Sequence, residues 1–354
     1  MDARRINELL ENVRRDAGGA FLTGLAYIGD RLGLFTALAA HGPLDSQRLA
    51  DRTGTQERYV REWLKAMTAF GYVEHDPDAA TWWMTPEQTA VLADEKSPTL
   101  AIGTFQFALP SLLHTDELIE AFREGGGISY ADLHPEIAPA IDRMHRGWFE
   151  HQLTNDWIPA IPGLEQRLVD GISVLDVGCG LGRSTAALAR AYPKSRITGI
   201  DPHAPSAEAA LEMTAGLANA RIERETLAAV AGRVGAGGET FDLVFAIDCI
   251  HDLPDPVGAL RDARRVLAED GLIVWSEPSG SSNALENRED PLARVRAALS
   301  PYHCLTVSLA AGGAGLGTIL GEDGVRRLAA EAGYEDIEIL PVDSPLQAFY
   351  GLRR

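Results

Sequence analysis

The stretch Val174-Leu-Asp-Val-Gly-Cys-Gly-Leu-Gly-Arg-Ser-Thr185 is an apolar run that leads into three alternating glycines. A short apolar run of this kind predicts a buried strand, and the glycines predict a tight turn whose backbone can approach a ligand closely. A nucleoside-type cofactor is the usual ligand of a junction between a strand, a glycine turn and a helix.

The residues around the glycines distinguish two classes of cofactor. A dinucleotide site has a third glycine or an alanine where this chain has Arg183. Asp176, two residues before Gly178, would repel a pyrophosphate but attract the sulfonium and amino groups of S-adenosylmethionine. Asp201 follows the next predicted strand, where a carboxylate can accept hydrogen bonds from two ribose hydroxyls. The sequence therefore favours S-adenosylmethionine over NAD.

Composition narrows the range of partners. The chain has 354 residues, enough for two domains, and a formal charge of −19 from 32 basic and 51 acidic residues. This charge is a poor match for nucleic acid and favours a small-molecule substrate. The three cysteines form no CxxC pair, and no apolar run approaches the ~20 residues needed to span a bilayer. We therefore expect a cytoplasmic protein with no membrane contact.

The pattern predicts three regions: a winged-helix-like dimerisation domain over residues 1–97, a helical connector and pocket lid over 98–168, and a catalytic domain over 169–354. Within the first region, three short helices and a hairpin outline a winged helix. DNA binding is one interpretation, but acidic residues along its helices favour dimerisation. Apolar residues near the N-terminus lack an evident partner and predict a homodimer: Ile6, Leu9, Leu10 and Val13.

Strand and helix signals alternate after Gly171 and predict an α/β domain with a Rossmann-like, mostly parallel sheet of seven strands. The predicted strands are 173–177, 196–200, 222–224, 241–247 and 271–277, followed by a closing pair at 337–340 and 348–353. Ligands of such sheets bind beyond the carboxyl ends of the strands. The candidate site residues are therefore Gly178 to Gly182, Asp201, Glu225, Thr226, Asp248 to Asp252 and Glu277.

On these motifs, residues 170–354 resemble a class I S-adenosylmethionine-dependent methyltransferase, and the whole chain resembles the winged-helix-dimerised small-molecule methyltransferases. The resemblance implies that Asp201 holds the cofactor's ribose and that four residues hold its methionine part: Asp176, Gly178, Gly180 and Gly182. Further cofactor contacts are predicted from Glu225, Thr226 and Asp248, which follow neighbouring strands.

His251 is the leading catalytic candidate, because it comes directly after the strand 241–247 in Ile250-His-Asp-Leu-Pro-Asp255. The related O-methyltransferases use a histidine in this context as general base on a substrate hydroxyl, a task suited to a group that titrates near neutrality. The alternative is that His251 only caps the following loop.

A second histidine, His303 in Ser300-Pro-Tyr-His-Cys304, suggests a metal site. His251, His303 and Asp252 would offer nitrogen and oxygen ligands suited to zinc or non-haem iron. This pattern resembles the metal-dependent 2-oxo-acid C-methyltransferases, such as phenylpyruvate C-methyltransferase, which supply β-methylated amino-acid precursors of peptide antibiotics. Arg123, beside the glycines at 125–127, is a candidate for binding the substrate carboxylate.

The sequence hypothesis is therefore a C-methyltransferase acting on the β-carbon of a 2-oxo acid through a metal-stabilised enolate, in secondary metabolism. Two alternatives stay open. One is a metal-independent O-methyltransferase with His251 as general base. The other is a transcriptional regulator whose winged helix binds DNA and whose cofactor domain is a sensor.

Overall fold

The computed structural model describes all 354 residues and divides the chain into two compact units. The first comprises residues 1–110 and 143–147, and the second comprises 111–142 and 148–354. The predicted connector 98–168 thus contributes to both units, and its predicted boundaries remain a proposal.

The first unit is helical with one small hairpin. Its elements are α1 (Ala3–Arg31), α2 (Leu34–His41), α3 (Ser46–Thr53), α4 (Glu57–Ala69), β1 (Glu74–Asp76), β2 (Thr81–Trp83), α5 (Pro86–Leu92) and the start of α6 (Gly103–Leu112). α3 begins at Ser46 because the Asp45 carboxylate caps it by accepting the Arg48 N–H at 2.8 Å. The inner face of α4 is apolar, and its members are buried: Val60, Trp63, Leu64 and Met67.

An ion pair links the return segment 143–147 to the rest of the first unit. The Arg143 guanidinium donates two hydrogen bonds to the Asp30 carboxylate, at 2.6 and 2.9 Å, and both side chains are mostly buried. A bidentate pair fixes direction as well as distance, so it joins this segment firmly to the end of α1.

α1 is one continuous helix whose first half projects into solvent. Residues 1–17 are all exposed, including the apolar side chains of Ile6, Leu9, Leu10 and Val13. An exposed apolar face of this kind is typical of a contact surface.

The second unit begins with helices. They are α7 (Thr115–Glu124), α8 (Ile137–Gly147), a π-helix (Trp148–Trp157), α9 (Ile158–Ala160) and α10 (Leu164–Asp170). Strands and helices then alternate: β3 (Ser173–Val177), α11 (Arg183–Ala191), β4 (Arg196–Ile200), α12 (Ala204–Met213), β5 (Ala220–Glu223), α13 (Leu227–Gly235), β6 (Phe241–Ile247), α14 (Pro256–Val266), β7 (Leu267–Pro278), α15 (Pro291–Leu299), α16 (Cys304–Ala310), α17 (Gly321–Ala332), β8 (Glu338–Ile339) and β9 (Gln347–Leu352). The last residue of α8 to lie in this unit is Asp142.

The sheet has seven strands in the order β5-β4-β3-β6-β7-β9-β8. The first five strands in this order, from β5 across to β7, are parallel to one another. β9 pairs antiparallel with both β7 and β8. The prediction of a mostly parallel, seven-stranded sheet is therefore confirmed. Because the chain leaves β3 first toward β4 and later returns to β6 on its other side, a crevice forms at the carboxyl end of β3.

Every residue of β3 is buried, because the strand is covered on both faces. Val174 packs into one apolar cluster with Leu188 of α11, whereas Leu175 and Val177 pack into the opposite cluster with Val244 of β6. This alternation follows the two-residue period of a strand. It places the residues after Val177 at the edge of a rigid core.

None of the chain's helices combines the length and apolarity that a membrane span requires.

Candidate active site

The glycine turn lies between β3 and α11. Gly178, Gly180 and Gly182 have positive φ angles of +67°, +54° and +84°. Gly182 also has a steric requirement, since a Cβ there would come within 2.8 Å of the Ala210 Cα. α11 begins directly after it, so the free N–H groups of the helix start are near the ligand.

Asp176 lies beneath this turn and is almost completely buried. Its Oδ2 accepts hydrogen bonds from the hydroxyls of Ser184 and Thr185, each at 2.6 Å. Burial raises the pKa of Asp176 to about 6, although the two hydroxyls oppose that rise. In this structure the carboxylate fixes the first turn of α11 against β3.

Asp201 lies against the glycine turn, as the sequence predicts for a ribose ligand. Its Oδ2 accepts the Gly180 N–H at 3.0 Å, and its Oδ1 accepts the His203 N–H at 2.9 Å. Burial raises its pKa, and the two N–H donors counteract part of the rise. The carboxylate is thus positioned by backbone groups on both sides.

The other predicted cofactor residues lie at neighbouring strand ends. The Thr226 hydroxyl caps α13 by accepting the Ala229 N–H, and Glu225 pairs with Arg233. Asp248 follows β6 with φ +55°, an unusual backbone conformation for a residue with a side chain. Such strain is common at ligand sites.

His251 is buried between two carboxylates. Its Nδ1 is 2.6 Å from Glu277 Oε2, and its Nε2 is 3.3 Å from Asp252 Oδ1. Glu277 lies near the carboxyl end of β7. Its Oε1 accepts a hydrogen bond from the Trp275 indole N–H at 2.6 Å. Glu277 therefore fixes the orientation of the imidazole.

The charges around His251 change its pKa. Burial lowers the pKa, but the negative charges of Glu277 and Asp252 outweigh burial, so the pKa of His251 lies well above its ordinary value. The site is therefore built to stabilise one positive charge on or beside this ring.

A group of metal-ligand type includes Cys304 rather than His303. Ligand atoms of His251, Asp252 and Cys304 all lie within 4.8 Å of one another. Asp252 Oδ1 is buried and, apart from the ion-pair contact with His251 Nε2, accepts no hydrogen bond, so a cation fits this group. Burial raises the pKa of the Cys304 thiol to about 12, a shift that a bound cation would reverse.

His303 is buried close to this group, at the cap of α16. Its ring lies 5.8 Å from the Tyr130 ring, and burial lowers its pKa while the charge of Asp252 raises it. Adjacent residues at a helix start point in different directions, so the structure brings the Cys304 sulfur, rather than the His303 ring, into the set of ligand atoms. The predicted set of His251, Asp252 and His303 remains a prediction.

Arg123 is not at the site in this structure. Its side chain is 67% exposed on α7 and donates a hydrogen bond to Glu120 at 2.7 Å. A guanidinium in water and already paired binds a substrate carboxylate weakly. The expectation that Arg123 contacts substrate therefore has no support from its position.

Two family models match the chain. The model of the Rv2258c-like winged HTH domain matches residues 20–94, and that of a methyltransferase domain matches residues 175–273. Residues 175–273 are therefore similar to a methyltransferase domain. The second match contains the glycine turn, Asp201 and His251.

Curated relatives match parts of the chain. An uncharacterized 37.1 kDa protein in transposon TN4556 of Streptomyces fradiae is 29% identical over 181 residues, which cover 49% of this chain and 46% of the relative. A ubiquinone biosynthesis O-methyltransferase of Pseudomonas fluorescens (strain Pf0-1) is 31% identical over 149 residues, which cover 40% of this chain and 62% of the relative. The chain thus spans less than two thirds of either relative's length.

Solved structures match the whole chain. The mitomycin 7-O-methyltransferase MmcR has a TM-score of 0.71 at 18% identity, covering 100% of both chains. Human N-acetylserotonin methyltransferase, solved in complex with SAM, has a TM-score of 0.69 at 17% identity, covering 100% of this chain and 98% of its own. The chain has the class I S-adenosylmethionine-dependent methyltransferase fold with an N-terminal winged helix-turn-helix domain.

The remaining site residues differ in how far the sequence alone predicts them. Glu277 was found only by its place at a strand end, and no pattern predicted that it would pair with His251. Cys304 lies next to a predicted ligand but has no spacing motif of its own. Tyr130, whose ring contacts His203 and His303, has no sequence signal, because only the fold brings these three segments together.

Proposed function

We propose that this chain is an S-adenosylmethionine-dependent methyltransferase that methylates a hydroxyl of a small molecule, with His251 as general base. The observation that supports this proposal is the buried contact between His251 Nδ1 and Glu277 at 2.6 Å. The pair is close to the glycine turn, since a Cβ on Gly178 would come 3.0 Å from the Cys249 Cβ, two residues before His251. MmcR and the Pseudomonas relative, to which this chain is similar, are both named as O-methyltransferases.

The reaction needs little besides positioning and one proton transfer. With its Nδ1–H donated to Glu277, His251 keeps Nε2 as the basic nitrogen. Nε2 removes the hydroxyl proton while the acceptor oxygen attacks the sulfonium methyl in line, giving a methyl ether and S-adenosylhomocysteine. The resulting imidazolium lies between Glu277 and Asp252, whose charges stabilise it.

A second candidate is C-methylation of a 2-oxo acid at its β-carbon, with a zinc or iron ion in the site. The clustering of His251, Asp252 and Cys304 favours it, together with the buried Asp252 oxygen that, apart from the ion-pair contact with His251, accepts no hydrogen bond. His303 is the further ligand that the sequence predicts. A bound metal ion would act as a Lewis acid on the substrate's 2-oxo group. In this candidate the product is a precursor of a non-proteinogenic amino acid in secondary metabolism.

One experiment separates the two candidates. Protein purified without an affinity tag is analysed for zinc and iron, and turnover is measured on a panel of phenols and on phenylpyruvate and 4-methyl-2-oxopentanoate, with and without a chelator. For O-methylation we expect chelator-insensitive turnover of a hydroxyl substrate, changed only a few fold in Cys304→Ala and His303→Ala. Stoichiometric metal, chelator-sensitive turnover of a 2-oxo acid and its loss in these variants would instead establish the second candidate.

The regulator alternative is less well supported. α4 is the third helix of the winged helix-turn-helix, and its basic side chains are already paired. Arg58 lies 2.7 Å from Glu62, Arg61 lies 2.6 Å from Glu57, and Lys65 lies 3.1 Å from Glu62. Paired basic groups release few counterions from DNA, so this face is a poor electrostatic footprint.

We also propose that the chain forms a homodimer through α1 and acts in the cytoplasm. The exposed apolar face of α1 supports the dimer, and three free cysteines fit a reducing compartment. Leu9→Glu combined with Val13→Glu should shift the protein to monomer in light scattering, whereas Arg14→Glu on the same helix should not. A dimer that withstands the double substitution would place the interface elsewhere.

A further inference from the structure

We propose that the ring of Tyr130 packs against the sulfonium of bound S-adenosylmethionine and makes the site prefer this cation over the neutral product S-adenosylhomocysteine. The inference rests on the proposed function, because it assumes that the pocket binds this cofactor. It assigns a cofactor-selecting role to a residue outside the segment 175–273 that matches the methyltransferase family.

Tyr130 lies between the segment that contains Asp201 and His203 and the segment that contains His303 and Cys304. It begins a short 3-10 helix, and its ring centroid is 4.8 Å from that of His203 and 5.8 Å from that of His303. The backbone N–H of His203 donates a hydrogen bond to Asp201, the residue expected to bind the ribose. His303 is next in sequence to Cys304, whose sulfur lies close to His251 and Asp252. A cofactor that extends from Asp201 toward His251 would therefore lie near this ring.

Two carboxylates give the region around the ring a negative potential. The phenol is buried, and the charges of Asp201 and Asp252 both raise its pKa, so both carboxylates lie within electrostatic range of it. An aromatic face attracts a cation that has lost water, and nearby carboxylates strengthen that attraction. A sulfonium gains from both effects, whereas the uncharged thioether of the product gains from neither.

The segment that carries Tyr130 is held in place by α16. The Ile128 N–H donates to the Thr306 hydroxyl at 2.8 Å, and a Cβ on Gly127 would overlap the backbone carbonyl oxygen of Thr306. Tyr130 also lines a cavity of about 260 Å³ together with Leu133, Leu181 and His203. The ring is therefore fixed at the wall of an open space before any ligand binds, and binding need not order it.

Calorimetric titration with S-adenosylmethionine and with S-adenosylhomocysteine tests the inference for the parent, Tyr130→Phe and Tyr130→Leu. The parent's preference for the cation should persist in Tyr130→Phe, which keeps the ring. It should fall about 3-fold to 30-fold in Tyr130→Leu, the range expected for a desolvated cation–π contact. Tyr59→Leu, at an exposed tyrosine of the first unit, is the control and should change neither affinity.

The possible outcomes are distinct. Equal weakening of both ligands in Tyr130→Leu, or no weakening, would overturn the inference and leave the proposed function intact. A parent that binds neither ligand would contradict the proposed function itself. Thermal melting verifies that each variant folds, and Tyr130→Met provides a second non-aromatic variant with the same expected loss of preference.

Discussion

The proposed cofactor half and the proposed acceptor half of this site are constructed differently. In the cofactor half, the glycine turn and Asp201 come from two consecutive strands, and Asp201 is positioned by backbone N–H groups. In the acceptor half, His251, Glu277 and Cys304 come from segments far apart in the chain and interact through buried side chains. Backbone N–H donors carry fixed dipoles, whereas the protonation state of each buried side chain depends on the charges of its neighbours. Changes in the first half should therefore alter affinity, and changes in the second should alter rate and pH dependence.

The largest expected effect is in the acceptor half. His251→Ala should reduce turnover by about 10²–10⁴-fold, because the acceptor loses its general base. The dissociation constant of S-adenosylmethionine should remain nearly unchanged, since the cofactor is held by the other half. His41→Ala, at an exposed histidine of the first unit, is the control. Turnover within a few fold of the parent would remove His251 from the chemistry.

Asp201→Ala should have the complementary effect. The cofactor's ribose would lose a charged acceptor in a buried site, so the binding free energy should weaken by about 1–3 kcal/mol. Calorimetry measures this directly, with Asp78→Ala at an exposed aspartate as control. If the dissociation constant does not change, Asp201 does not bind the ribose, and the division of the site into two halves is wrong.

Gly127→Ala tests whether the Tyr130 segment depends on its contact with α16. The new Cβ would overlap the backbone carbonyl oxygen of Thr306. Overpacking of this kind lowers the free energy of unfolding by about 1 kcal/mol or more. Amide hydrogen exchange should increase over residues 125–139, and S-adenosylmethionine should dissociate faster. Gly232→Ala is a matched control, because a Cβ there meets nothing within 4 Å. Unchanged exchange in Gly127→Ala would show that the segment is held by other contacts.

The smallest expected effect is a shift in a pH profile. Glu277 and Asp252 raise the pKa of His251 above the ordinary pKa of a histidine. The neutral, basic form of the ring therefore forms at a higher pH than in a free histidine. Turnover should therefore increase with pH. Glu277→Gln removes one negative charge beside the ring, so the pKa of His251 should fall and the rising limb should move to lower pH. A limb that stays in place would mean that another group, such as Cys304, controls it.

The sequence by itself determined the local parts of the molecule. It predicted β3, β4, β6, the glycine turn and the mostly parallel sheet, because apolar period, glycine and strand-end position are encoded within short windows. Boundaries set by neighbouring elements were less accurate. β7 begins at Leu267 rather than at 271, and β5 begins at Ala220 rather than at 222. Strand pairing extends or shifts a strand beyond its own apolar pattern.

Only the tertiary structure decided the acceptor half. The packing of α16 determines that the Cys304 sulfur joins His251 and Asp252, and the pairing of β6 with β7 brings Glu277 to the ring. The same long-range packing leaves Arg123 in solvent and places Tyr130 between His203 and His303. These outcomes depend on which elements pack together and on which way a side chain points at a helix start. No short window of sequence contains that information, because the energy that selects them comes from contacts between distant segments.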